Sequence, residues 1–450
     1  MVAIPAVSPY FLPTFACLFA TYNDGVRNYE GYQVLRVNIS SNPVMEAIQS
    51  IFIQDEFDFW SVPSLNAPTD ILVSPQQLRN FERTLDLMGV AYEVFIENVE
   101  SVIEHERQHS RSDGFDMDWN SYQRLQTIHW WMDAMAQKYP AFVSVETVGM
   151  STEKRPLKVM KISTAGPNST RPAIWIDGGI HAREWISPAT TTCMANNLIT
   201  EATRIRRQRF VETFDWYFAP VLNPDGYEYT WSSDRLWRKT RSSPKKGIWD
   251  GLFGCCKGVD PNRNWAYKWG GKGTSQNQCS QVYAGPSPAS EPEVAHIQNY
   301  ILARKDSIKL FLTFHSYSQL LLLPWGYDTP RVPDHDDLLQ VGNRALAKLR
   351  AVYGTEYKAG DTAEILYPAA GGSHDWAKGV AGIKYSYCYE LRDKGRYGFV
   401  LPADQIIPSC KETFQGVKSM AEDIAAIYRL TPRISNGDDL FPIDPIKSVP

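Results

Sequence analysis

The chain has 450 residues, 21% of them charged and 43% hydrophobic, with a formal net charge of −4. This is a globular composition, long enough for two cores, and its weakly acidic balance gives no reason to expect nucleic acid. No apolar run reaches the roughly 18 residues of a membrane-crossing helix.

Residues 1–20 hold an apolar stretch, Phe11 to Ala20, that resembles the core of a signal peptide. It lacks a basic start and contains prolines, and Ala20 is the expected last residue before cleavage. Residues 31–97 read as a small α/β unit. Strands are expected at 32–37, 57–62, 70–73 and 92–96, with helices at 44–53 and from Ser74-Pro75 onward. The order β-α-β-β-α-β suits an open sandwich, two helices on one antiparallel sheet. Residues 98–112 are polar and read as a connecting helix and exposed linker, where Arg107 and Arg111 are candidate sites for a trypsin-like protease. An ordinary solvated helix fits the same charges.

From 113 to 430 strands and helices alternate. Helices are expected at 120–138, 188–203, 290–304, 336–353 and 409–429. Strands are expected at 143–148, 157–163, 173–177, 214–218, 309–314 and 383–389. This predicts an α/β domain with a central mixed, mostly parallel twisted sheet and helices on both faces. The basic run Arg204 to Arg209 reads as a solvated helix end. The proline-containing tail 431–450 is expected to be disordered.

Chemistry concentrates at strand ends. Asp177-Gly178-Gly179-Ile180-His181-Ala182-Arg183-Glu184-Trp185 follows an apolar strand and sets an imidazole and a carboxylate three residues apart. His181 and Glu184 form half of a catalytic zinc site, which needs one more protein ligand and an open position. His315 ends another apolar strand and is the candidate third ligand. Such strand ends are where open α/β sheets bind ligands. Glu390 ends an aromatic strand. An ion pair with Arg392 is its bland reading, and a general base beside a metal is the reading this context favours. Arg183, Arg238, Arg241 and Arg263 cluster around these elements, and guanidinium groups suit a substrate with a free carboxylate.

Of seven cysteines, Cys256 and Cys279 flank a Gly/Ser-rich loop and suggest a bridge, with Cys255 as a competitor. Cys193 and Cys388 lie in apolar segments and read as buried thiols. The odd total is accounted for if Cys17 leaves with a signal peptide. Sequons at Asn38 and Asn168 fit secretion.

The motifs His-Ala-Arg-Glu-Trp (181–185), Asn-Pro-Asp-Gly-Tyr (223–227), Trp-Arg-Lys-Thr-Arg (237–241), Asp-Pro-Asn-Arg-Asn-Trp (260–265), Phe-His-Ser-Tyr-Ser-Gln (314–319), Gly-Gly-Ser-His-Asp-Trp (371–376) and the run from Glu390 to Phe399 occur in one order. Together they make the chain resemble a secreted zinc metallocarboxypeptidase of the pancreatic A/B type, made as a proenzyme. The resemblance implies one zinc ion on His181, Glu184 and His315, with Glu390 as base and Arg241 polarising the scissile carbonyl. It implies that Asn262, Arg263 and Tyr367 grip the terminal carboxylate. Arg183, Arg238, Tyr317 and Phe399 would line the approach. Residues 21–97 would be an inhibitory pro-domain, and cleavage near Arg111 would start the mature enzyme at about Ser112. A monomer acting on peptide and protein C-termini in a digestive lumen is expected. His374 departs from the family. Its position forms the floor of the side-chain pocket, where an aliphatic residue goes with apolar substrates and an aspartate with basic ones. With Gly326, Thr362 and Ala369 around it, basic substrates are disfavoured. A neutral His374 would admit aromatic, aliphatic or uncharged polar residues, and a protonated one would attract acidic residues.

Overall fold

The computed structural model describes residues 22–23, 25–53, 57–65, 68–108, 116–204, 207–243 and 256–431. The expected signal peptide, Arg111, Cys255 and residues 432–450 lie outside the described residues.

The N-terminal unit runs β1 (Gln33–Val37), α1 (Asn42–Ile53), β2 (Asp58–Phe59), β3 (Thr69–Val73), α2 (Pro75–Leu87) and β4 (Tyr92–Ile96). The strand order is β2-β3-β1-β4, antiparallel throughout. The period-2 alternation of β1 and β3 divides their side chains. Leu35, Val37, Ile71 and Val73 pack with Ile48, Phe81 and Leu85 of the helices. Val34 and Leu72 on the other face pack toward the rest of the chain. β2 is shorter than expected, because Trp60 and Ser61 both donate to the Asp70 carbonyl and so leave the ladder. Ser74 and Pro75 do start α2, although the Ser74 hydroxyl donates to Gln77 Oε1 rather than capping a backbone N–H.

α3 (Val99–Gln108) leads out of this unit and buries Val99, Glu100, Ile103 and Glu106, so it is not a solvated helix. The larger unit then follows. It comprises α4 (Leu125–Lys138), β5 (Val143–Met150), β6 (Pro156–Ile162), β7 (Ala173–Asp177), α5 (Ile186–Ala202), α6 (Arg209–Thr213), β8 (Asp215–Ala219), α7 (Pro224–Ser232), α8 (Pro292–Leu302), β9 (Ile308–His315), β10 (Leu320–Leu323), α9 (His335–Tyr353), β11 (Lys358–Asp361), α10 (Thr362–Ile365), α11 (Ser373–Gly379), β12 (Tyr385–Glu390) and α12 (Ile406–Ile427).

Its eight strands lie in the order β11-β10-β12-β9-β7-β8-β6-β5. The central run β12-β9-β7-β8 is parallel, as is β10 with β11, while the remaining neighbours are antiparallel. Central parallel strands are covered on both faces, so they read as continuous apolar runs. Ile174, Ile176, Trp216, Phe218, Leu310 and Leu312 pack under α5 and α12. Trp175, Tyr217 and Phe311 face the opposite layer, with Ile297, Ile301 and Trp376.

Three expectations are corrected. The helix placed at 120–138 begins at Leu125, because the Asp118 carboxylate captures the N–H groups of Asn120 and Ser121, and Glu228 accepts the Leu125 N–H. β10 and β11 were not expected, since neither a four-leucine run nor Lys-Ala-Gly-Asp alternates. Cys193 is not a thiol: it is bridged to Cys410, tying α5 to α12. Cys256–Cys279 is bridged as expected, and Cys388 is a buried free thiol.

Candidate functional site

The parallel strands β7, β9 and β12 end side by side, and His315 stands opposite Glu390 in the ladder. After β7 the backbone must reverse within two residues. Gly179 sits at φ +62°, a conformation that costs a glycine little. A Cβ on Gly178 would lie 2.7 Å from the hydroxyls of Ser187 and Thr191. Ser187 accepts the Gly179 N–H and donates to the Phe314 carbonyl, joining this turn to the residue before His315. His181 and Glu184 are thereby set against His315.

Their donor atoms converge. His181 Nδ1 lies 2.7 Å from Glu184 Oε1 and 3.1 Å from His315 Nδ1, and His315 Nδ1 lies 3.2 Å from Glu184 Oε2. All the candidate ligand atoms fall within 4.8 Å of one another. His181 Nε2 faces Asp260 Oδ1 at 3.0 Å, so the ring donates its N–H to the carboxylate there and turns a bare Nδ1 lone pair inward. A carboxylate and an imidazole lone pair pressed together without a shared proton fit a cation, and a buried His₂Glu donor set suits zinc.

Arg238 closes one side of this centre. Its guanidinium donates to Asp260 Oδ2 at 2.8 Å and stands 4.0 Å from Glu184 Oε1. Its carbonyl accepts the Ala182 N–H, which pins it to the His181 turn. Arg241 is not here. Its guanidinium lies over the rings of Tyr229 and Trp237, 3.8 Å from Glu153. The arginine whose guanidinium stands beside the His181, Glu184 and His315 cluster is therefore Arg238, expected from the sequence to line the approach. Glu390 does not pair with Arg392, which forks instead onto Glu412. Burial raises the Glu390 carboxyl to about 8, partly offset by His315.

On the next wall Asn262 packs its amide 3.4 Å from His315 Nε2, and Arg263 donates to the Tyr367 hydroxyl at 3.1 Å. Beyond them Gly326, Thr362, Ala369 and His374 surround one space: a Cβ on Gly326 would lie 3.3–3.4 Å from the other three. His374 Nε2 is 3.1 Å from Thr362 Oγ1. Burial, with His315 and Arg263 nearby, presses the His374 pKa down to about 3, so the ring is neutral.

The approach is covered by the N-terminal unit. Asp58 takes Arg183 in a fork at 2.7 and 3.0 Å. Tyr317 donates to Asp70, which Arg36 also holds. Trp60 packs on Phe399, itself against Tyr317. From α3, Glu106 forks onto the fully buried Arg235, which also donates to the carbonyls of Arg183 and Phe399. Sequence reasoning missed Asp260, Arg235, Asp58, Asp70 and Trp60. Only Asp260 had a signal, as the first residue of a quoted motif.

Residues 128–416 match a family described as Zinc carboxypeptidase, and residues 35–106 match one described as Carboxypeptidase activation peptide. Carboxypeptidase B of Astacus astacus is 46% identical over 69% of this chain and 100% of its own length. Carboxypeptidase A2 of Mus musculus is 40% identical over 88% and 94%. The solved structure of thrombin activatable fibrinolysis inhibitor superposes with a TM-score of 0.78 at 33% identity, covering 88% of this chain and 100% of that one.

Proposed function

The chain belongs to the zinc carboxypeptidase family and carries the family's activation peptide, and from that premise we propose how its residues divide the work. It is a zymogen of a zinc-dependent exopeptidase that hydrolyses the C-terminal peptide bond of peptides and proteins. His181, Glu184 and His315 hold the zinc, which when bound supplies Lewis-acid chemistry to the carbonyl oxygen and to water.

Arg263, Asn262 and Tyr367 grip the terminal carboxylate. Arg238 meets the negative charge that develops on the scissile carbonyl oxygen. Glu390 takes a proton from the attacking water and passes it to the departing amine, a role suited to a carboxyl lifted toward neutrality. The pocket of Gly326, Thr362, Ala369 and neutral His374 receives an uncharged side chain. Asp375 has its charge answered by the backbone N–H groups of Gly326 and Tyr327, and offers no free carboxylate to a basic residue. The observation that carries this reading is the convergence of the His181, Glu184 and His315 donor atoms beside Glu390 and Arg238.

Residues 21–97 act as the inhibitory pro-domain, 98–112 as connecting helix and linker, and 113–430 as the catalytic domain. A trypsin-like protease cutting at Arg111 is favoured over Arg107, which lies inside α3 next to buried Glu106. Secretion is supported by two disulfides and by the exposed sequons at Asn38 and Asn168. No helix among the described residues is long and apolar enough to cross a membrane. The test is release of neutral residues from blocked dipeptides before and after trypsin treatment. Release sensitive to a zinc chelator and enhanced by cleavage is expected. A folded, cut sample that releases nothing would overturn the assignment.

A further inference from the structure

The Thr362 hydroxyl lies 2.9 Å from the Leu323 carbonyl, which can only accept. Its one proton goes there, so it meets His374 Nε2 as an acceptor, and the ring must carry its proton on Nε2. His374 Nδ1 is then a bare lone pair. It is buried, and no polar atom of the described residues bonds it.

Nδ1 lies on the side of the ring toward Gly372. A Cβ on Gly372 would stand 3.6 Å from Nδ1 and 3.7 Å from Asn262 Oδ1, so the two atoms flank one position. Asn262, proposed above to grip the terminal carboxylate, therefore borders the same corner of the pocket.

We propose that His374 serves as a neutral hydrogen-bond acceptor at the pocket floor, selecting C-terminal residues whose side chains carry an uncharged N–H or O–H donor, such as glutamine and tyrosine. A hydrocarbon side chain would displace water and leave Nδ1 unpaired, which buried polar groups tolerate poorly. A carboxylate would set lone pair against lone pair. An ammonium or guanidinium would find a donor's partner but no free counter-charge, with Arg263 already beside the pocket. Burial keeps the ring neutral, so the acceptor persists across the working pH range. The inference rests on the carboxypeptidase reading above.

The experiment compares kcat/KM of the trypsin-cut full chain on blocked dipeptides ending in Gln, Met, Glu, Tyr, Phe, Leu and Arg. The expected result is Gln over Met, or Tyr over Phe, by about tenfold, the worth of one neutral hydrogen bond. That ratio should fall toward one in His374→Leu. Thr362→Val, which frees the Nε2 proton without enlarging the pocket, provides a second variant and should lower the ratio too. Both ratios near one in the unsubstituted enzyme, a preference for Arg or Glu, or ratios unmoved by either variant would overturn the proposal. Chelator-sensitive release of Leu is the separate control. If it holds while the ratios are flat, only the acceptor role falls. If it fails, the carboxypeptidase reading and this inference fall together.

Discussion

The metal end of the cleft and its outer approach are built on opposite terms. At the metal end, His181 is oriented by Asp260, Asp260 is held by Arg238, and His315 is packed by Asn262, all from the larger unit itself. At the approach, Arg183, Tyr317 and Phe399 meet Asp58, Asp70 and Trp60 of the activation peptide. On the proposed reading, the difference makes inhibition a matter of occlusion. The proposed catalytic groups stand assembled beneath the cover, with their supporting bonds drawn from the larger unit.

Substitutions on the two sides should therefore behave differently. The largest effect is expected for Glu390→Gln, which should lower kcat of the cut chain by about 10²–10⁴-fold while metal analysis still finds zinc. Activity within tenfold of the original would remove Glu390 from its role. Arg238→Ala should cost about 10²–10³-fold in kcat, and Arg241→Ala less than about threefold. The reverse order would restore the sequence-based assignment. Asp260→Asn should weaken zinc binding about 10–100-fold in a chelator competition. An unchanged affinity would deny it the orienting role.

On the other side, Asp58→Ala leaves the Arg183 charge unpaired in the cut but unseparated complex. The concentration at which half the activity is released should rise at least about tenfold, with the fully released enzyme unaffected. If cover and centre were coupled, kcat of the released enzyme would change as well. The smallest effect concerns acid stability. The unfolded chain protonates His374 near its ordinary value of 6.5, but the fold refuses that proton until about 3. This contribution is complete above pH 6.5 and is lost as pH falls through that window. His374→Leu should therefore lose less of its urea midpoint between neutral pH and about pH 4. An equal loss in both proteins would show the ring is not held neutral.

Legibility followed the range of the cause. His181, Glu184, His315 and Glu390 were readable because strand ends and glycines mark them locally, and the alternation of elements gave the central sheet. Arg238 and Arg241 share one short motif, and which turns inward depends on a backbone bond from Ala182. The Cys193 bridge depends on Cys410, 217 residues away, and an apolar neighbourhood looks the same for a thiol as for a disulfide. Strands β10 and β11, at one side of the sheet, carry no alternation, because their partners rather than their own side chains place them.

Asp234 and Arg235 are neighbours in the chain, yet they hold opposite ends of the activation segment. Asp234 receives Arg27 and the Tyr29 hydroxyl, and Arg235 receives Glu106. A cut beyond Gln108 severs none of these bonds. Scission thus starts a countdown whose length is the dissociation time of a noncovalent pair. A concentrated solution of the cut chain would stay quiet and come to life only as it is diluted.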